Sequence, residues 1–218
     1  MTERRFEAVA WDIDGTLVDS EPLHHRALVA ASLQFGADLR GLPDMAFRGI
    51  HMGDVWLQLR DWLPATLDKQ QWLAAINRNY VEGRHGLSAV PQAVETIQAL
   101  NARGIPQVCV SNSCRMVVDA NLDALGVSDC IQFSISLDDV AEGKPSALPY
   151  RQAAERLGLA PNAVVAVEDS GTGIQSAKTA GLYTVFLQTA DNCLPGGPTQ
   201  SLADCIVDDL ALLLPLFD

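Results

Sequence analysis

The stretch Ala8-Val9-Ala10-Trp11-Asp12-Ile13-Asp14-Gly15-Thr16 runs from four apolar residues straight into two acids, a glycine and a hydroxyl. So short an apolar run, closed by turn-forming residues, reads as a buried strand that ends in a loop. Four further runs share the pattern: Val108 to Val110, Ile131 to Ile135, Val164 to Val167 and Thr184 to Leu187. Segments of helical periodicity separate them, among them Val94 to Leu100 with Gly104 behind it. This alternation specifies an α/β fold, a doubly wound parallel sheet covered on both faces. In such a sheet ligands bind at the carboxyl ends of the strands, where Asp12 and Asp14 are delivered. Taken alone, the two acids and Gly15 would equally suit a turn that exploits their backbone preferences.

Nearly a hundred residues separate the first strand from the second, far more than one crossover helix requires. Ser20-Glu21-Pro22 opens a helix with a capping serine and an early proline, and Leu23, Ala27, Ala30 and Ala31 form its apolar face. Val55, Leu59 and Trp62 set a second helix, and Leu73, Ile76 and Tyr80 a third that ends before Gly83. The expected organisation is an α/β core of residues 1–18 and 87–218, interrupted by a helical cap domain over residues 19–86.

The chain has 218 residues, 48% hydrophobic and 19% charged, a globular composition able to bury a sizeable core. Its formal charge of −12 argues against a nucleic-acid or anionic membrane partner, and no cluster of Lys and Arg supplies a local exception. No run approaches the roughly 18 apolar residues of a membrane span, and MTERRFEAVAWD has too short an apolar stretch for a signal-peptide core. We therefore expect a cytoplasmic protein, monomer or weak dimer, with no membrane and no nucleic acid among its partners. The five cysteines, Cys109, Cys114, Cys130, Cys193 and Cys205, are odd in number and lack C-x-x-C spacing, so they read as reduced, buried thiols. Such acidity repels a phosphorylated ligand at long range, so a phosphate site here must use local cations and backbone N–H groups.

Three later stretches bring suitable groups to the same sheet edge. Val110-Ser111-Asn112-Ser113 places a small hydroxyl and turn backbone after the second strand, although a plain strand-to-helix cap looks the same. Gly143-Lys144-Pro145 offers a fixed positive charge in a chain with three lysines, where the ordinary reading is a solvated surface lysine. Val164-Val165-Ala166-Val167-Glu168-Asp169-Ser170-Gly171-Thr172-Gly173 drives an apolar strand into two adjacent acids and a glycine-rich helix start. Those acids suit either an N-cap or a hard divalent cation such as Mg²⁺, which takes carboxylate oxygens and keeps room for water and phosphate.

In this order DIDGT, VSNS, GKP and VEDSGTG resemble the four signature motifs of the haloacid dehalogenase superfamily. The insert resembles the helical cap of the subfamily that contains β-phosphoglucomutase and phosphoglycolate phosphatase. The resemblance covers essentially the whole chain and implies a Rossmann-like core that binds Mg²⁺ and acts on a small phosphorylated metabolite. By that similarity Asp12 would be the nucleophile, and Asp14 would protonate the leaving oxygen and then activate water. Ser111 and Lys144 would hold the transferring phosphoryl oxygens, with Asn112 supporting the loop. Asp12, the backbone carbonyl of Asp14, and Asp169 would ligate the metal, with Glu168 as a further, outer member. After Lys144-Pro145 the sequence reads Ser146-Ala147-Leu148, which omits the family's usual capping acid at the next helix.

The insert departs from the mutase pattern. His24 stands where mutases keep a hinge histidine, and it reads equally as an ordinary polar residue of a cap helix. The mutase's cap lysine falls on Ile76 and its phosphate-gripping arginine on Met52. Arg48 or Arg78 would substitute from neighbouring positions, and Arg48, His51, Arg78 and Asn79 are the candidates for reading the leaving group. The expectation is a Mg²⁺-dependent phosphatase for a small monoester such as a sugar phosphate, working through an aspartyl phosphate. The alternatives are a hexose-phosphate mutase and a non-catalytic phosphometabolite-binding module.

Overall fold

The computed structural model describes residues 6–43, 46–47, 50, 52–190, 192 and 202–218. In chain order it comprises β1 (Ala8–Trp11), β2 (Val18–Asp19), α1 (Glu21–Gln34), α2 (Met52–Leu59), α3 (Lys69–Gly83), β3 (Ser88–Ala89) and α4 (Ala93–Ala102). There follow β4 (Gln107–Val110), α5 (Arg115–Leu125), β5 (Phe133–Ile135), α6 (Leu148–Leu157), β6 (Val164–Glu168), α7 (Gly171–Ala180), β7 (Tyr183–Leu187) and β8 (Cys205–Val207). Contacts divide the chain into two compact units, one of Met1–Asp19 with Ser88–Asp218 and one of Ser20–Leu87.

In the first unit six parallel strands form a sheet in the order β5-β4-β1-β6-β7-β8. The chain leaves β1 for β4 on one side and later takes up β6 on the other, so β1 lies at the switch point where such sheets bind ligands. Every residue of β1, β4 and β6 is buried, as expected of apolar strands covered on both faces. Alternation sorts the side chains. Ala8, Ala10, Val108, Val110, Val164 and Ala166 pack with Tyr150, Ala153 and Ala177 of α6 and α7. On the other face Trp11 Nε1 donates to Gln107 Oε1 at 3.0 Å, and Gln107 Nε2 donates to the Ile97 carbonyl of α4 at 2.9 Å. A buried glutamine is thereby satisfied at both ends of its amide.

The second unit has its own core. Leu23, Ala27, Leu28 and Ala31 of α1 and Trp72, Ala75, Ile76 and Tyr80 of α3 are buried. Trp72 Nε1 donates to Ser32 Oγ at 3.0 Å, and its ring lies 5.4 Å from that of Trp56 in α2. The helical face of the third helix is thus carried by Trp72 and Ala75 as well as Ile76 and Tyr80, with Leu73 only half-buried.

Several local expectations are corrected. Ser20 occupies the N-cap of α1 without a side-chain capping bond. Trp62 is 57% exposed, because α2 ends at Leu59 and a 3₁₀ turn over Arg60–Trp62 rotates it off the apolar face. β5 is shorter than the run from Ile131 to Ile135, since the Ile131 N–H is used to close a turn onto Ser128. The two-stranded β2–β3 sheet and the edge strand β8 lacked a strand-like signal. Of the described cysteines only Cys109 is buried; Cys114, Cys130 and Cys205 are half-buried, all four are free, and Cys193 lies outside the described residues.

Candidate active site

Asp12 directly follows β1, and its N–H donates to the Val167 carbonyl of β6 at 2.9 Å, which continues the pairing one residue past the strand. Alternation keeps its side chain on the face of Ala8 and Ala10, the side of Tyr150. There Lys144 Nζ donates to Asp12 Oδ1 at 2.6 Å and to Glu168 Oε1 at 2.5 Å. Tyr150 Oη donates to the same Glu168 oxygen at 2.7 Å, and the Lys144 ammonium stands 5.1 Å from the Tyr150 ring centre. Glu168 Oε2 accepts from Ser170 Oγ at 3.2 Å, while Ser170 Oγ caps α7 by accepting from the Gly173 N–H at 3.1 Å. Lys144, Asp12 and Glu168 are buried at 8%, 7% and 1% exposure. The lysine of Gly143-Lys144-Pro145 is therefore not the solvated residue that its type alone favours.

Two glycines permit this packing. Gly15 has φ +87°, and a Cβ there would overlap the Asp169 carboxylate. At Gly173 a Cβ would overlap the carboxylate of Glu168. Asp169 also accepts from Thr16 Oγ1 at 3.4 Å, and its backbone carbonyl accepts from Asn192 Nδ2 at 2.9 Å.

Oxygens of Asp12, Glu168 and Asp169 lie within 4.8 Å of one another. Burial, and then repulsion from Glu168, push the Asp12 carboxyl well above its ordinary range against the pull of Lys144. The same two causes push Asp169 up to about 7. Burial disfavours the Lys144 ammonium, but Asp12 and Glu168 outweigh it and raise its pKa. Burial and Glu168 likewise raise the Tyr150 phenol, which stays protonated and donating. Asp12 and Asp169 therefore ionise fully only where further positive charge joins Lys144. An all-oxygen donor set with that need fits a hard divalent cation.

The carboxyl of Asp14 turns elsewhere. Its Oδ2 accepts from Ser113 Oγ at 2.8 Å and Ser111 Oγ at 3.2 Å, and its Oδ1 accepts from Asn121 Nδ2 at 3.2 Å. Asn112 couples two loops, since its Oδ1 accepts from the Lys144 N–H at 2.8 Å and its Nδ2 donates to the Lys144 carbonyl at 3.0 Å. The Lys144–Pro145 peptide is cis. Asp12, Asp14, Ser111, Asn112, Lys144, Glu168 and Asp169 thus gather at one sheet edge. Sequence reading did not single out Tyr150, Ser113, Thr16 or Asn121. For Asn121 a signal existed: it falls in the buried stripe of Val117, Val118 and Leu122 on α5, where a polar residue calls for a partner.

Of the residues expected to read a leaving group, Arg48 and His51 lie outside the described residues. His24 is half-buried and stacks on Tyr80 with ring centres 4.3 Å apart. Arg78 is exposed on α3.

Residues 6–181 match the family model of haloacid dehalogenase-like hydrolases. The chain belongs to that family. This hydrolase is 30% identical to a phosphoglycolate phosphatase of Cupriavidus necator, over 95% of the chain and 93% of the relative. It is 33% identical to the phosphoglycolate phosphatase of Escherichia coli K12, over 82% and 80% of the two chains. Among solved structures, CbbY from Rhodobacter sphaeroides in complex with phosphate superposes with a TM-score of 0.82 at 26% identity, covering 98% of this hydrolase and 99% of CbbY.

Proposed function

We propose that the protein is a Mg²⁺-dependent phosphatase that hydrolyses a small phosphate monoester through an aspartyl phosphate. The observation that carries this reading is the buried Asp12 carboxylate at the switch point of the sheet. It is held by Lys144 and shares one oxygen cluster with Glu168 and Asp169. The names of the curated relatives support phosphatase chemistry, and with it a small phosphorylated metabolite as partner.

In this reading Asp12 attacks phosphorus while the ester P–O bond breaks, and Asp14 gives a proton to the departing oxygen. Water then attacks the acyl phosphate as Asp14 takes up its proton, and Asp12 is regenerated. Ser111 and Lys144 bind the phosphoryl oxygens, with Lys144 fixed in place by the hydrogen bond its backbone N–H donates to Asn112 and the one its carbonyl accepts from Asn112. Asp12, Asp169 and the backbone carbonyl of Asp14 would hold Mg²⁺. Glu168, occupied by Lys144, Tyr150 and Ser170, fits the role of an outer partner. When bound, the cation neutralises charge on the transferring group. The helical unit, with Arg48, His51, His24 and Arg78, is assigned the choice of leaving group.

Sugar phosphates and phosphoglycolate are the substrate classes to separate. A panel of both, with magnesium or EDTA, should show Mg²⁺-dependent phosphate release that Asp12→Asn lowers by at least about 10³-fold. Release at the wild-type rate from that variant would exclude Asp12 as nucleophile. Exchange of hexose phosphate isomers without release would identify a mutase, and silence across the panel a binding module. We further propose a cytoplasmic location and a monomeric or weakly dimeric state, the latter testable by sedimentation. Among the described residues no helix is long and apolar enough to cross a membrane.

A further inference from the structure

Asn121 is fully buried at the middle of α5, among the apolar residues Val117, Val118 and Leu122. Its Nδ2 donates across 107 positions of sequence to Asp14 Oδ1. The two oxygens of Asp14 are therefore held differently. Oδ1 is held by an amide on a rigid helix, and Oδ2 by the hydroxyls of Ser111 and Ser113 in the loop before that helix. We infer that Asn121 is a positioning residue, a pivot that holds Asp14 by one oxygen while the other is released to exchange protons with the ester and with water. The inference rests on the phosphatase reading above, in which Ser111 binds a phosphoryl oxygen.

The chemistry of the holder fits that task. When a phosphoryl oxygen takes the Ser111 hydroxyl, Asp14 Oδ2 keeps the rotatable Ser113 hydroxyl of the loop and Oδ1 keeps the Asn121 amide of the helix. Once Ser113 also yields Oδ2, the carboxyl turns about Oδ1 without coming loose. As the ester bond breaks, its electron pair stays on the leaving oxygen, which takes the proton from Asp14 Oδ2. The carboxylate left behind is stabilised by the Asn121 N–H. In the second half, water oxygen bonds to phosphorus, its proton passes to Asp14 Oδ2, and the acyl P–O electron pair returns to Asp12. A lysine or arginine at position 121 would pair with the carboxylate and hold it ionised, unable to donate. An apolar residue would leave Oδ1 without this donor in a buried place. A neutral amide donor avoids both.

Removing the donor should hurt substrates in proportion to their need for a proton. The probes are p-nitrophenyl phosphate, whose phenolate leaves unaided, and the fastest alkyl ester among phosphoglycolate, glucose 6-phosphate and glycerol 3-phosphate. In Asn121→Leu, which keeps the volume, the ratio of aryl to alkyl kcat/KM, which reports only the steps up to loss of the leaving group, should rise roughly tenfold. Asn121→Ala, which cannot overpack, serves as the second variant, and thermal melting establishes that each is folded. A folded variant that slows both esters alike, or leaves the ratio at the wild-type value, overturns the inference while the phosphatase reading stands. Wild-type protein inert towards every ester would overturn both.

Discussion

Lys144 is the residue on which the electrostatics of the site turn. Its side chain is 4% exposed, and its ammonium binds the carboxylates of two side chains that are 10% and 1% exposed. Breaking such a pair costs more than forming it gains, because the partner charges stay behind without compensation. Lys144→Met should be about 3–5 kcal/mol less stable to urea at neutral pH. Without the lysine that pulls its pKa down, the Asp12 carboxyl resists ionisation in the fold still more than in the unfolded chain. The deficit should therefore shrink as pH falls and Asp12 takes up a proton. A deficit independent of pH would show that packing, not charge, was lost. This lysine could be picked out from sequence because it sits between glycine and proline in a chain with three lysines. Tyr150 could not, since a tyrosine on an amphipathic helix looks like core, and core is also what it is. Nothing local announces that its hydroxyl meets Glu168, 18 residues away in the next strand.

At the scale of elements, the start of α7 sets helix propensity against packing. Gly173 lies within that helix, where alanine is the better helix former by about 1 kcal/mol. A Cβ at 173 would also enter the Glu168 carboxylate, whose hydrogen bonds fix Lys144. Packing should win, and Gly173→Ala should lose at least about 1–3 kcal/mol of stability in chemical denaturation, with turnover reduced as well. A stabilised, fully active variant would mean that Glu168 has room to retreat. The strands of the central sheet were legible because burial on both faces demands continuous apolar runs, as in Val164 to Val167. β8 was not, because Cys205–Val207 is a short edge strand with Ile206 exposed. β2 and β3, two residues each, are defined by their mutual pairing and carry no period of their own.

At the scale of the whole molecule, β8 is tied to β7 by more than its ladder. Asp204 accepts from the Thr184 N–H at 2.9 Å and from Thr184 Oγ1 at 2.8 Å, and it pairs with Lys178 of α7. Partial burial raises its pKa, but these donors, Lys178 first, outweigh burial and lower it. A carboxyl depressed in the fold contributes stability above the unfolded value of about 3.9, and that contribution is lost as pH falls through the folded one. Asp204→Asn should unfold at lower urea than wild type at pH 7, the two curves converging below about pH 4. Persistent separation in acid would assign the effect to shape. The acidic cluster gives a second test, since a ligand that binds only the folded state raises its stability, by about 2.7 kcal/mol at a hundredfold excess over Kd. Mg²⁺ should raise the melting temperature of the wild type and leave Asp169→Asn nearly unmoved. An equal rise in both would remove Asp169 from the ligands.

The order β5-β4-β1-β6-β7-β8 also bears on how the molecule comes into being. The strand that leads into Asp12 precedes both of its neighbours in the chain, yet Ala8 pairs with Val164 and Lys144 reaches back across 132 positions to Asp12. Such long loops must close before their contacts repay the entropy lost, so this is a slow, non-local topology. Until β6 has been synthesised, β1 has one flank unpaired and Asp12 lacks the Glu168 and Asp169 that complete its oxygen cluster. Enzyme activity during refolding is accordingly a report on the last long-range pairing, and it should lag behind the return of helical signal.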